Sequence, residues 1–196
     1  MKVLIGCEYS GIVRDAFIRG GHDAMSCDLL PTDRPGPHYK GDIFDVIDYP
    51  WDLAIFHPEC THLSVSGSSH FPAKRMDGRQ QAAASFFMRL VRQSAHIPMT
   101  AIENPVCIMS SLYRKPDQII QPWWFGDDAS KKTCLWLKGL PLLVETNRLP
   151  GDERTRRANQ TASGQNRLSP SPDRWKERSR TYPGVAAAMA AQWDAL

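Results

Sequence analysis

Short unbroken apolar runs recur along this chain, and each one ends in a polar cluster. Val3-Leu4-Ile5 leads into Gly6-Cys7-Glu8, Leu53-Ala54-Ile55-Phe56 into His57-Pro58-Glu59-Cys60, and Met99-Thr100-Ala101-Ile102 into Glu103-Asn104-Pro105. Runs that are apolar at every position are strands covered on both faces. Between them lie stretches with helical spacing. Ile12, Val13, Ala16 and Phe17 share one side of residues 12–19, and Ala82, Ala83, Phe86, Phe87, Leu90 and Val91 recur within residues 76–95. Strands alternating with helices predict an α/β fold with a mostly parallel sheet flanked by helices. Such sheets keep their ligands at the carboxyl ends of the strands. The polar clusters are therefore the candidate functional residues.

Residues 1–196 read as one domain, large enough to fold without disulfides. The start, Met1 to Cys7, reads as a first strand and not as a signal peptide. No apolar run reaches the ~18 residues of a membrane span. Cys7, Cys27, Cys60, Cys107 and Cys134 are scattered, without a C-x-x-C pair. That pattern predicts a reducing, cytoplasmic setting and neither a disulfide framework nor a cysteine-rich metal site. Residues 106–130 read as irregular. Val65 to Pro72, rich in Ser and Gly, reads as a mobile loop able to close over a substrate. Residues 147–180 read as a long irregular basic segment, and residues 184–195 as a C-terminal helix.

The net charge of +3 conceals an asymmetry. Residues 1–60 carry 5 Lys/Arg against 10 Asp/Glu, and the remainder carries 19 against 11. An acidic half suits the hydroxyls and amines of a nucleoside cofactor, and a basic half suits a phosphate-bearing partner; solvated faces would show the same balance.

Residues 1–30 form one strand-turn-helix-strand unit, with Ser10 as a fair N-cap and Asp28 after the second strand. A carboxylate at that position can take two ribose hydroxyls, or be a plain loop residue. The loop Glu8-Tyr9-Ser10-Gly11 holds one glycine where a dinucleotide fingerprint needs three, which disfavours a pyrophosphate. A cofactor without phosphates, such as S-adenosylmethionine, needs no such cradle. Further on, Asp42-Ile43 can pinch an adenine, with the carboxylate accepting from the exocyclic amine, or Asp42 can cap a helix; the two roles are compatible.

Cys60 follows a strand and stands beside a proline, on the same predicted edge as Glu103. An isolated cysteine is usually a buried, inert thiol. A thiol and a separate carboxyl facing one pocket are instead the equipment for adding to a conjugated ring: the thiolate attacks, and a carboxyl kept protonated by burial bonds the ring nitrogen that gains charge. His57, Cys60, His62 and His70 match no zinc spacing, and the H-x-E of His57-Pro58-Glu59 lacks the P-C-x-x-C partner of zinc deaminases, so no metal is expected.

Gly6-Cys7-Glu8-Tyr9-Ser10-Gly11, Asp28, Gly41-Asp42-Ile43, Pro58-Glu59-Cys60-Thr61-His62-Leu63-Ser64 and Glu103-Asn104-Pro105 occur in the order and at the spacing of the cytosine-C5 DNA methyltransferases. The segments 121–141 and 172–184 resemble the short members encoded by bacterial viruses and prophages. The resemblance covers nearly the whole chain. It implies a Rossmann-like, S-adenosylmethionine-dependent methyltransferase fold, mostly parallel with one antiparallel strand near the edge. It implies a cofactor site at Cys7, Glu8, Tyr9, Ser10, Gly11, Asp28, Leu29, Asp42, Ile43 and His57, with Thr181 and Tyr182 at the methionine end. Cys60 would attack C6 of a flipped or single-stranded cytosine, with Glu103, Asn104 and Glu59 completing the catalytic group. Ser64, Ser66, Lys131, Lys132, Arg174, Lys176 and Arg178 would meet DNA. The setting implied is a bacterial host cytoplasm, and the purpose protection of viral DNA from restriction.

Several positions depart from the family pattern. Glu59 stands where a proline usually precedes the cysteine, and Thr61 follows where glutamine is usual. The paired arginines of the larger enzymes have Lys131 or Lys132 as their nearest counterpart, and 196 residues leave no room for a target-recognition domain. Three readings follow: a cytosine-C5 methyltransferase of low sequence specificity, a pyrimidine-C5 enzyme acting on a free nucleotide or modified base, and a catalytically degenerate module that binds DNA or protein.

Overall fold

The computed structural model describes residues 1–194. The first strand, β1 (Lys2–Gly6), leads through α1 (Ile12–Arg19) to β2 (Asp23–Asp28) and the short β3 (His38–Lys40). Then come β4 (Leu53–Phe56), α2 (Phe71–Met76), α3 (Arg79–Gln93) and β5 (Met99–Pro105). The chain continues through α4 (Met109–Leu112), β6 (Gln118–Ile120), β7 (Thr133–Lys138), α5 (Arg174–Ser179) and α6 (Pro183–Gln192).

The strands make one sheet in the order β3-β2-β1-β4-β5-β7-β6. The first five run parallel, and β7 is antiparallel to both β5 and β6. The α/β architecture is as the sequence pattern predicts, and the single antiparallel strand beside the edge is as the resemblance implies. From β1 the chain builds outward through β2 and β3, then returns to lay β4 on the other side of β1. That reversal is a topological switch point between β1 and β4, the place where open α/β sheets bind their ligands.

Period-two alternation explains the unbroken apolar runs. Val3, Ile5, Leu53 and Ile55 face α1 and α6, where Phe17, Met189 and Trp193 are buried. Leu4, Ala54 and Phe56 face Phe87 and Leu90 of α3. Each residue of the runs Val3–Ile5 and Leu53–Phe56 is thus in one of two cores, and none is left for solvent. The C-terminal helix packs on α1; its predicted last residue, Ala195, lies outside the described residues.

Some expectations are corrected. Val65–His70 is a 3-10 turn continued by α2, not an open Ser/Gly loop. Lys74, itself buried, donates from Nζ to the Thr61 carbonyl (2.6 Å), and Gln80 donates to the His62 carbonyl (3.3 Å), so the helices clamp the loop just before this turn. The turn Asp77-Gly78 separates α2 from α3, which starts at Arg79 and not at residue 76. Residues 106–130 contain α4 and β6, and the basic segment contains α5. Elements this short carry less than two turns or three ladder rungs of pattern, too little for periodicity to mark them. Glu103, Asn104 and Pro105 belong to β5 itself, because β7 pairs with all three. Among the described residues no helix is long and apolar enough to cross a membrane.

Candidate active site at the carboxyl edge of the sheet

After β4 the chain turns sharply around Cys60. The His57 amide donates to the Gly6 carbonyl (2.9 Å), and the amides of Leu63 and Ser64 donate to the Cys60 carbonyl (3.0 and 2.9 Å). Side-chain Nδ2 of buried Asn104 donates to the Pro58 carbonyl (2.9 Å). The stretch is further fastened to the chain after β5 by a bridge between Ser64 and Cys107 and by bonds linking Val65 to Val106 and Ile108 to Leu63. Asn104 is therefore a positioning residue for the cysteine loop.

Glu103 projects beside that loop with little exposure. Its Oε2 lies 3.0 Å from His57 Nδ1, and its Oε1 lies 3.9 Å from Lys131 Nζ. Lys131 is set by its neighbours: its amide donates to Oε1 of buried Gln121 (2.9 Å), whose Nε2 donates to Glu153 (3.0 Å). Lys132 points the other way and pairs with Glu153 at 3.7 Å. Of the two lysines, only Lys131 joins the group at Glu103.

The charges here are coupled. Burial pushes the Glu103 carboxyl up, but the Lys131 ammonium and then His57 pull it down further, so it lies below the usual carboxylate range. Burial alone predicts a protonated acid at this position; two basic neighbours, both distant in sequence, reverse that expectation. The Cys60 thiol is pushed up, first by burial and also by Glu103, while Lys131 and Arg178 oppose the rise. Glu59 is exposed and is not among the principal influences on the thiol. Its side chain has turned to solvent, so the structure does not gather it with Cys60, Glu103 and Lys131. His57, expected beside the cofactor, is a partner of Glu103. Three buried atoms in this cluster have no hydrogen-bond partner among the described residues: His57 Nε2, Glu103 Oε1 and Asn104 Oδ1.

The predicted cofactor loop is more closed. Cys7 takes a positive φ of 58°, turning the chain out of β1, and burial pushes its thiol far up. A side chain at Gly6 would come within 2.6 Å of Phe56 and 2.7 Å of Ile43, so the backbone must pass bare here. Glu8 is buried; its Oε1 accepts from Ser10 Oγ (2.7 Å) and the Val13 amide (3.1 Å), while Oε2 is without a partner among the described residues. Ser10 accepts from the Ile12 amide (3.3 Å), so α1 is capped by Glu8 and Ser10 together, with Gly11 at the N-cap position. Tyr9 is buried as well, its hydroxyl donating to the Lys176 carbonyl of α5 (2.6 Å).

At the end of β2, burial raises the Asp28 carboxyl although the Leu30 amide, bonded at 2.9 Å, opposes it. The adjacent Leu29 is 73% exposed, an apolar side chain left in solvent just after β2. Asp42 caps a 3-10 turn through the Phe44 amide (3.0 Å), the capping role that the sequence leaves open. Ile43 is buried in the core beneath Gly6 and so is not open to a ring. Thr181 is buried, and the Tyr182 hydroxyl accepts from Asn159 (3.1 Å).

Helix α5 spans both regions. Tyr9 holds its Lys176, and Arg178 is close enough to act on the Cys60 thiol. Arg174 and Lys176 flank exposed Trp175 on the same helix. Ser64 and Ser66 share a hydroxyl–hydroxyl bond of 2.9 Å at the entrance of the 3-10 turn. Sequence reasoning missed Lys74 and Gln80, which clamp the cysteine loop, and buried Arg14. A cationic or amide side chain on a helix gives no sign in sequence that it faces inward.

No protein-family model matches the chain, and no curated protein matches it.

Proposed function

We propose that this protein is an S-adenosylmethionine-dependent methyltransferase acting at C5 of cytosine in DNA, with little sequence specificity, as in phage or prophage DNA modification. The observation that carries the proposal is the convergence of Cys60, Glu103, His57 and Lys131, from three separate stretches, on one partly unsatisfied cluster at the carboxyl edge of β4 and β5.

The residues at the neighbouring strand ends fit the cofactor. Buried Glu8 Oε2 is an acceptor awaiting an ammonium, Asp28 stands where a ribose would offer hydroxyls, and Leu29 offers exposed apolar surface. S-adenosylmethionine held there would supply an electrophilic methyl group. The chain's own part is to make C5 nucleophilic. The Cys60 thiol must first lose its proton, which the Lys131 and Arg178 charges favour. The Cys60 sulfur then bonds to C6, and the electron pair of the C5–C6 bond moves onto C5 and toward N3. Glu103, held as a carboxylate, accepts from the exocyclic amine through its free Oε1, and the Lys131 ammonium beside it meets the charge that develops on the ring. After methylation, water takes the C5 proton, its electron pair re-forms the C5–C6 double bond, and the Cys60 sulfur leaves C6 as the thiolate.

Incubation with radiolabelled S-adenosylmethionine and cytosine-containing DNA tests the proposal. Label should enter DNA, and Cys60→Ala should abolish transfer while leaving the fold intact. No transfer by the unaltered protein, or transfer that survives Cys60→Ala, overturns it.

A further inference from the structure

Residues 157–167 fold back on themselves. The Thr161 amide donates to the Gln165 carbonyl (2.8 Å), the Arg167 amide donates to the Asn159 carbonyl (2.9 Å), and Gln160 bridges to Asn166. A cavity of about 230 Å3 opens against this turn, lined by Arg156, Arg157, Arg167, Gln160 and Thr161, with small alanines between. Among the described residues that line it there is no carboxylate.

Arg157 is the unusual member. It is 5% exposed, and its Nε and Nη2 are buried without a hydrogen-bond partner among the described residues. The carboxylate paired with it, Asp128, stands 3.9 Å from Nη1, beyond hydrogen-bond range. Its guanidinium carbon lies 4.5 Å from the centroid of the buried Trp123 ring, which fixes the plane of the group but supplies no acceptor. A buried guanidinium with free donors is costly unless an anion completes it. Arg156 and Arg167 add two exposed guanidiniums at the rim. Planar forks of N–H donors match the oxygens of a phosphate group better than those of any neutral ligand.

We infer that this cavity binds a phosphate group, and that the group is a backbone phosphodiester of the DNA strand whose cytosine enters the Cys60–Glu103 site. The second half of this inference rests on the function proposed above. A short rigid path links the two places. Asn159, at the base of the turn, bonds both backbone groups of Ser130 (2.9 and 3.0 Å), and the next residue is Lys131, which reaches Glu103. A phosphate seated in the cavity would hold the strand in register with the base pocket.

Two probes test this. Titration of inorganic phosphate, followed by 31P line broadening, reports the cavity itself. Anisotropy of a labelled cytosine-containing oligonucleotide over a range of salt reports DNA. Arg167→Gln, at an exposed position, should weaken oligonucleotide binding by about tenfold and reduce the salt slope by about one contact. Arg157→Gln should weaken it more. If Arg157→Gln does not fold, Arg167→Gln decides. Inorganic phosphate should broaden with the unaltered protein and not with Arg167→Gln. Phosphate binding combined with unchanged oligonucleotide affinity and slope overturns the DNA assignment. Absence of both effects overturns the cavity as a phosphate site. Loss of DNA binding in the arginine variants of a protein that transfers no methyl leaves the cavity standing and removes the methyltransferase reading. Methyl transfer with arginine variants that bind DNA normally does the reverse.

Discussion

Buried carboxylates close the carboxyl ends of both β1 and β5, and the two are put to different use. Glu8, after β1, gives Oε1 to Ser10 and to the Val13 amide and so starts α1. Beside it, fully buried Arg14 donates to Asp15, Ser26, Thr32 and the carbonyls of Arg34 and Pro35. Nearly every polar group in that corner is satisfied by folding. At β5 the pairing is partial. Glu103 meets His57 and Lys131, yet Glu103 Oε1, His57 Nε2 and Asn104 Oδ1 remain without partners among the described residues. Buried polar groups are normally paired, so a cluster of unpaired ones marks a place completed by a ligand. The β1 corner is mostly closed by its own bonds and leaves one acceptor, Glu8 Oε2, for a cofactor; the β5 corner leaves three groups open.

The comparison is most easily broken at Arg14. A side chain at Gly11 would come within 2.5 Å of its guanidinium, and Gly11 has a φ of 69°, so the backbone is shaped around this charge. Arg14→Leu should destabilise the fold by about 3–5 kcal/mol, because several acceptors lose their donor at once. Urea unfolding measures it. A small loss of stability accompanied by a large loss of cofactor binding would make Arg14 part of a site and erase the contrast.

A smaller effect is expected at Asn104. Asn104→Ala leaves the Pro58 carbonyl without its 2.9 Å donor and should cost about 1–3 kcal/mol. Loosening of the loop should also let a thiol reagent reach Cys60 faster. A reaction rate unchanged from that of the unaltered protein would show that Asn104 does not position the cysteine.

Lys131 sharpens the same contrast through pH. Removing its charge in Lys131→Met takes away what opposes the rise of the Cys60 thiol, so the thiol moves higher still. The rising limb of the methyl-transfer profile, which follows loss of the thiol proton, should move to higher pH, with a loss of about tenfold near neutrality for each pKa unit gained. Glu103 responds in the same direction. Its folded value is depressed, so its stabilisation is complete above the unfolded value and is lost as pH falls through the folded value. Without Lys131 the folded value rises, and acid unfolding should begin at a higher pH. An unmoved rate profile would place Lys131 outside the reacting group.

What could be read in advance followed from length of pattern. Unbroken apolar runs gave β1, β4 and β5, helical spacing gave α1 and α3, and the strand ends marked where Cys60 and Glu103 would sit. The protonation of Glu103 could not be read, because it depends on His57 and Lys131 arriving from loops after β4 and before β7. Nor could the inward turn of Ile43, the outward turn of Glu59, or the burial of Arg157, since side-chain direction in turns follows no period. The clamp on the cysteine loop was hidden for the same reason: Lys74 and Gln80 look like solvated residues until α2 and α3 pack.

Tyr9 tests the contrast at its finest. Its place after β1 suggests a cofactor contact, whereas its hydroxyl is spent on the Lys176 carbonyl and its ring lies 6.5 Å from Trp175. Tyr9→Phe keeps the ring and removes that bond together with the longer one the hydroxyl accepts from Ser179 Oγ (3.4 Å), each worth about 0.5–1.5 kcal/mol. Because α5 has no buried residue of its own, that loss should fall on the helix and not on the domain. Trypsin should cut at Arg174, Lys176 or Arg178 several-fold faster, by roughly the factor that such an energy implies, while the urea midpoint stays nearly unchanged. With α5 freer, Arg178 would act less on Cys60, so the thiol should titrate slightly higher. If instead cofactor affinity collapses and the cleavage rate does not change, Tyr9 is a binding residue and the β1 corner is less closed than its hydrogen bonds imply.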